Sequence, residues 1–435
     1  MKTKRRRVLG WLCPVLFLMV ILLGINSVGA QTIGKIYDKT NCKDIQDLLP
    51  PALFRAVEKG EWTIPTAKLD FPLRLPDRFV SASEKNEGKF GINEKGNIID
   101  KATGKFPTYN VYGMPFPKID PKDPKVAEKI MWNFNFQKYR FKGDHFDTRQ
   151  MYIARAGYER EIIGLQWFLN FQGRPQDDEV KNNPKNFLTN EMTLAKAPMG
   201  LKGTSSMNWE YQDERDNTVF VYVPVIRRVR QMGGAERSAP SYGSDSWQDN
   251  AYLWSGKNTM MKWKFVGERT LLIAVPSLKK QVVEENSDGS MPVVTVDSKW
   301  GFRTPGWKGA PWVPTSCFYI PRPVWVVEGN HQDPYYNFGK HIMYVDKELY
   351  IIWYKEVFDK GGESWKFCPF ITSLTESKSG NNLLGWQSMI LTIDTKYKHA
   401  TCVDKLPDRG TGVFLPLSRL GPDYFTIGKL QEISK

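Results

Sequence analysis

The feature that most constrains this chain is a succession of short β-prone segments that begins near residue 145 and runs almost to the end. Residues 151–155, 161–171, 219–224, 261–266, 271–275, 292–296, 317–320, 324–328, 342–345, 350–357 and 389–394 are rich in β-branched and aromatic side chains. Turn chemistry lies between several of them, at Asp288-Gly289, Asp346-Lys347-Glu348 and Asp359-Lys360-Gly361-Gly362. Such short gaps suit antiparallel hairpins, because a parallel crossover needs about a dozen residues or more. The predicted order is therefore a meander of about ten or eleven strands. A sheet that wide curls or splits, and helices or loops must cover its concave face unless a cavity remains there. The expected fold class is mainly β (α+β), a large curved antiparallel sheet with a few helices and an N-terminal arm covering it.

Two earlier segments read as helices. In 51–59 Leu53, Phe54 and Val57 share a face, and Gly60 stops the turn. Further on, Asp123 is an N-cap candidate, Pro124 suits the first helical position, and Val126, Ile130 and Phe134 recur every fourth residue. The rest of 60–120 is rich in Pro, Gly and Lys and reads as irregular. With no linker tract and no internal repeat, the expected division is a leader at 1–30, an arm at 31–140 packed on the main body, and one large sheet domain at 141–435.

The leader has the form of a cleavable secretory signal. Lys2, Lys4, Arg5, Arg6 and Arg7 precede an apolar run from residue 8 to about 23, and Val28-Gly29-Ala30 supplies a small-x-small end. Export to the periplasm follows, with cleavage near Ala30. Removing those five cations from a formal charge of +14 leaves +9. Outside the cytoplasm nucleic acid is not a partner for this charge; acidic lipid headgroups or an acidic protein surface are. Cys42, Cys317, Cys368 and Cys402 remain after cleavage, an even number that permits disulfides. Cys368 and Cys402 flank one apparent hairpin and are a candidate pair, with buried reduced thiols as the alternative.

Several strands are apolar at successive positions, notably 219–223 and 350–354, so both of their faces leave water. Phe220, Tyr222, Trp325, Val327, Ile351 and Trp353 are accordingly either core or the lining of an apolar ligand cavity. Beyond Pro224 stand Arg227, Arg228 and Arg230. As strand residues, Arg228 and Arg230 point one way and Arg227 the other. At a sheet rim they would grip a carboxylate or phosphate headgroup, or else pair internally with Asp213, Glu214, Asp216, Asp245 or Asp249.

Three stretches taken together resemble the DUF1329 family of exported bacterial proteins. They are 112–134 (YGMPFPKIDPKDPKVAEKIMWNF), 219–230 (VFVYVPVIRRVR, followed by Ala239-Pro240, Asp245, Asp249, Trp254 and Gly256), and 324–359, with VWVVEG and YYNFGKHIMYVDKELYIIWYKEVFD. The Tyr-x-Pro-x-x-Arg-Arg-Val-Arg element is the most specific part. The resemblance covers 110–360 well and extends over about 40–430. One departure is the segment Glu61-Trp62-Thr63-Ile64-Pro65, where the family's usual Gly/Asp-rich stretch before Thr-Ile-Pro is reduced. The resemblance implies a fold like the LolA/LolB lipoprotein carriers, a half-open antiparallel barrel closed by helices. It also implies a periplasmic carrier for lipid-like cargo, beside an RND-type (MMPL-like) exporter and an outer-membrane partner.

Catalytic signatures are absent: there is no HExxH, GxSxG, P-loop or GxGxxG. His145 and His331 lie near carboxylates, but at spacings that match no standard zinc or calcium site. No catalytic residue, metal or cofactor is assigned. The expected function is binding and carriage of a hydrophobic ligand without catalysis. Two other classes stay open. A glycan-binding protein would expose Trp307 and Trp312, which a Gly-rich loop could present. A metal-dependent hydrolase would bring His145 or His331 together with carboxylates in a cleft.

Overall fold

The computed structural model describes residues 32–139, 143–213, 215–232, 237–293, 299–378, 383–405 and 412–435. The leader expected at 1–30, Glu214, and the end of the strand expected at 292–296 lie outside them. In the arm, Ile36–Tyr37 (β1) pairs with Ile64–Pro65 (β2), and between them Pro51–Glu58 forms helix α1. Proline suits that start because the first helical N–H has no partner within the helix. Asp77–Lys85 forms α2, Phe90–Ile92 (β3) and Ile98–Asp100 (β4) make a hairpin, and Val126–Tyr139 forms α3. Both expected helices are present. The stretch 60–120, expected to be irregular, instead holds α2 and the β3–β4 hairpin.

The main body is one sheet of sixteen strands among the described residues. Its first block is a meander: Gly143–Ala154 (β5), Gly157–Asn170 (β6), Phe187–Ala197 (β7), Ser205–Tyr211 (β8), Thr218–Val223 (β9) and Arg228–Met232 (β10). Met261–Val275 (β11), the short Gln281–Val283 (β12) and Met291–Val293 (β13) follow. The second meander is Phe318–His331 (β14), Lys340–Asp346 (β15), Ile352–Phe358 (β16), Ser364–Ser377 (β17), Leu383–Asp394 (β18) and His399–Lys405 (β19). Gly412–Leu415 (β20) and helix α4 (Ile427–Ile433) end the chain. The spatial order is β10-β9-β8-β7-β6-β5-β19-β18-β17-β16-β15-β14-β11, with β12 and β20 attached to β17 and β5, and β13 paired to β20. Pairing is antiparallel throughout except for β12 on β17. β10 and β11 end the path, so the sheet is not closed. The fold is thus mainly β, with a large antiparallel sheet and few helices. No helix among the described residues is long and apolar enough to cross a membrane.

The sheet is wider than the sequence suggests because β7, β8, β10, β12, β17, β19 and β20 are not among the segments that read as strands in it. Asn190, Glu191, Thr193, Ser206 and Asn208 give β7 and β8 a polar texture that does not read as a buried strand. Arm and sheet share a core: Leu53 and Val57 of α1, Phe79 of α2, and Ile130 and Phe134 of α3 pack in one cluster with Ile273, Val327, Trp353 and Leu391. Glu356 of β16, only 2% exposed, accepts the Ala52 N–H at the start of α1 (3.2 Å) and the Tyr344 hydroxyl (2.8 Å). A carboxylate at a helix N-terminus meets donors that the helix itself leaves unbonded. A second cluster packs Trp167, Met192, Met207 and Phe220 against Leu430 of α4.

All four described cysteines are buried and free. The Cys368–Cys402 disulfide expected as a candidate is not formed: Cys368 is on β17, Cys402 on β19, and β18 lies between them. Burial pushes the Cys317 thiol up to about 12, so it is held in the unreactive protonated form.

Candidate functional site

An irregular strap, residues 241–253, crosses one face of the central strands. It contains two short 3-10 turns, Ser241–Gly243 and Gln248–Leu253. Tyr242, Tyr252 and Leu253 hold positive φ of 53°, 52° and 67°. Each such residue costs about 1–3 kcal/mol, so the strap is held by its anchors and not by backbone preference.

Those anchors come from strand after strand. The Tyr152 hydroxyl of β5 donates to the Tyr242 carbonyl (2.8 Å). On β19, Thr401 accepts the Asp245 N–H (2.9 Å), and the Asp245 carboxylate takes the Thr401 hydroxyl (2.8 Å) and His399 Nδ1 (2.6 Å). That bond to Asp245 raises the His399 pKa. Asn250 donates to Thr392 of β18 (2.9 Å), and Lys355 of β16 donates to Asn250 Oδ1 and the Leu253 carbonyl, both at 2.5 Å. Lys355 is fully buried, with its ammonium 4.4 Å from the Trp247 ring centroid, and burial brings its pKa down to about 8. Asp249 pairs with the buried Arg237 and accepts the Tyr336 hydroxyl (3.4 Å). These polar side chains inside the sheet satisfy a backbone that makes no ladder of its own.

Between the strap and β5–β8 a recess of about 180 Å³ remains. Ile162, Phe168, Ala195, Ile390 and Val403 form its apolar wall, and Trp247, Ala251 and Tyr252 its cover. Gln150, Gln166, Glu191, Thr193, Ser206 and the Tyr242 side chain give it a polar floor. Gln166 donates to Glu191 Oε1 (2.6 Å), and the Thr193 and Ser206 hydroxyls are bonded at 2.7 Å. Burial pushes the Glu191 carboxyl up to about 7, against the opposing pull of the Gln166 bond and Lys138. Its lining is divided between apolar side chains and polar groups that can fix the orientation of a guest.

None of the six residues expected as cavity candidates borders this recess. Trp325, Val327, Ile351 and Trp353 are buried in the large core cluster, and Phe220 and Tyr222 in the cluster under α4. Trp353 has a structural bond: its indole N–H donates to Asp346 (2.8 Å), which also takes a two-pronged bond from Arg322 (both 2.8 Å). The same carboxylate accepts the Glu348 and Leu349 N–H groups of the expected Asp346 turn.

The arginines are placed differently from a strand running on past Pro224. Residues 224–227 turn, Arg227 takes a φ of 50°, and β10 returns with Arg228 opposite Val223 and Arg230 opposite Val221. Val221 is opposite Ser206, Ser206 opposite Thr193, and Thr193 opposite Gln166. Directly opposed residues share a face, so Arg230 and Arg228 lie on the recess face, and Phe220 and Tyr222 on the other. At ~4.8 Å per strand, Arg230 is roughly 10 Å from Ser206 along the sheet. Among the described residues Arg227, Arg228 and Arg230 form no ion pair, while Asp213, Asp245 and Asp249 are taken by Arg215, His399 and Arg237.

The residues named for the other two functional classes are engaged in packing. Trp312 is 3% exposed, and the Trp307 ring lies down on Gly301 and Gly309, where a Cβ would collide with it, and donates to the Ala310 carbonyl (2.9 Å). His145 stacks on Trp167 (4.8 Å between centroids) and His331 on Tyr336 (3.9 Å). Among the described residues no three His, Cys, Asp or Glu side chains converge on a metal position.

Residues 37–431 match the model of a protein family described as "protein of unknown function (DUF1329)". The chain belongs to the DUF1329 family. No curated protein matches it. Among solved structures, the chain is similar to a putative outer membrane lipoprotein-sorting protein domain from Vibrio parahaemolyticus (12% identity, 70% of this chain and 97% of that one, TM-score 0.47). It is also similar to a DUF1329 family protein from Desulfovibrio piger (13%, 68% and 97%, TM-score 0.44). A third is a LolA superfamily protein from Nitrosomonas europaea (11%, 69% and 98%, TM-score 0.39).

Proposed function

We propose that this DUF1329 protein binds and carries a hydrophobic, lipid-like ligand without catalysing a reaction on it, and that the ligand enters the recess under the strap. The observation that carries this reading is a part-apolar space of about 180 Å³ covered by a segment held through side-chain anchors. An engineered apolar cavity of about 150 Å³ holds a benzene-sized guest. The recess as it stands therefore accepts a ring or the end of a chain, and longer cargo requires the strap to lift. Each methylene buried there would contribute about 0.8 kcal/mol. Glu191 with Gln166 offers a polar end to the guest, and Arg228 and Arg230, on the same face, offer cations to an acidic headgroup further out.

Action in the periplasm, with an RND-type exporter and an outer-membrane partner, belongs to the same proposal; the basic and small-residue pattern of residues 1–30 supports export. Native mass spectrometry of the protein taken from its own cell envelope tests the central point. A co-purifying lipid is expected, and Ser206→Phe, which fills the recess, should remove it while the far-UV circular dichroism stays that of the wild type. A ligand-free wild type, or a variant that retains the same lipid in full, would refute the assignment.

A further inference from the structure

Two hairpin loops leave one end of the sheet side by side. Residues 198–204 join β7 to β8, residues 224–227 join β9 to β10, and the pairing of Ser205 with Tyr222 sets them next to each other. A Cβ on Gly203 would lie 3.3 Å from the Pro224 ring, so the loops are in contact. Their tips are aliphatic and bare: Met199 is 80% exposed, Val225 89% and Ile226 41%. Single exposed apolar residues are ordinary on a protein surface; three on touching loop tips form a patch.

The surroundings of that patch are cationic. No Asp or Glu occurs between Glu191 and Glu210, or between Asp216 and Glu236, whereas Lys196, Lys202, Arg227, Arg228 and Arg230 do. Lys202, Arg227, Arg228 and Arg230 form no ion pair among the described residues, and Glu432 of the neighbouring α4 is occupied by Lys429 (2.6 Å). Aliphatic tips that project beyond a belt of free cations match one surface in particular. An anionic bilayer offers negative headgroups at the level of the belt and hydrocarbon just beneath.

We propose that the 198–204 and 224–227 loops dock the protein on an anionic membrane surface, with Met199, Val225 and Ile226 entering the headgroup layer. This reading stands apart from the carrier proposal, since none of these three side chains borders the recess. Each basic residue near an anionic surface strengthens binding by about fivefold, and each buried aliphatic side chain by about tenfold or more.

Flotation of the purified protein with vesicles of phosphatidylglycerol, against vesicles of phosphatidylcholine, tests it. The wild type should float with the anionic vesicles only, and less so as salt is added. Val225→Asp with Ile226→Asp should weaken flotation by about tenfold or more, and Lys202→Ala with Arg227→Ala by roughly fivefold per charge and with a flatter salt response. Met199→Asp, on the other loop, repeats the test should the double variant not fold. Wild type that stays in solution with phosphatidylglycerol at low salt overturns the proposal and leaves the patch to an acidic protein surface. Aspartate variants that float as well as wild type overturn it too. Lipid retained in the recess by the Val225→Asp/Ile226→Asp protein keeps the two readings separate, because loss of cargo and loss of flotation are then scored independently.

Discussion

Glu191 stands in the recess with Gln166 donating to one oxygen and the Thr193–Ser206 hydroxyl pair beside it. Burial, the dominant influence, raises its carboxyl from 4.5 to about 7. A raised pKa in the folded state means that the fold prefers the protonated form. The associated stability is fully present below about pH 4.5 and is lost as pH rises through about 7. His331 and His341 act in the opposite sense, since burial lowers both and acid must charge them to unfold the chain. Comparison with Glu191→Gln isolates the carboxyl. Thermal midpoints recorded across this range should show the wild type losing stability relative to the variant as pH rises, and parallel curves would deny Glu191 its protonated state. Arg230 illustrates a different lesson: the sequence places cations beyond a strand, but only the turn at 224–227 puts Arg228 and Arg230 on the recess face.

The strap is the element on which the site depends, and it is the element least legible in the sequence. Strand runs such as 219–223 and 350–354 were readable because β-branched and aromatic residues cluster, and α1 and α3 because prolines and spaced apolar residues mark their starts. Nothing local distinguishes Asp245, Asn250 or Leu253 as residues that cross a sheet; their partners Thr401, Thr392 and Lys355 are more than a hundred positions away. The recess was illegible for the same reason, its lining being drawn from β5–β8, β18 and β19 together with the strap. The residues singled out for a cavity lie in packed clusters, Trp325, Val327, Ile351 and Trp353 with the arm and Phe220 and Tyr222 under α4. Asn250→Ala should unlatch the strap: Lys355 loses one acceptor and Thr392 its donor. Removing a partner from a buried polar group costs about 1–3 kcal/mol. Denaturant titration should read that loss, and hydrogen exchange should quicken within 241–253 before it does in β16 or β18. Uniform protection would mean that the strap is not an independently opening unit.

At the scale of the molecule, an open sheet this wide holds its form because material on both faces covers it. One face takes the strap, through Lys355, Thr392 and Thr401; β16 turns its alternate side chains, Tyr354 and Glu356, the other way, toward the arm and β11. Its long edge strand β11 is part covered, with Leu271, Leu272 and Ile273 fully buried and Lys262, Lys264 and Glu268 exposed beside a bulge between Phe265 and Gly267. Charges and a bulge are the features that keep an open edge from pairing with another chain. If the arm is part of the core and not a separate layer, a cavity opened under α1 must destabilise the sheet itself. Leu53 is fully buried in the cluster that holds Ile273 and Trp353, and Leu53→Ala should cost about 2–5 kcal/mol. The informative outcome is the form of the loss: far-UV circular dichroism, which follows the strands, and tryptophan fluorescence should shift together in one transition. An early loss confined to α1, with the strands melting at the wild-type denaturant concentration, would show that the sheet stands without its arm.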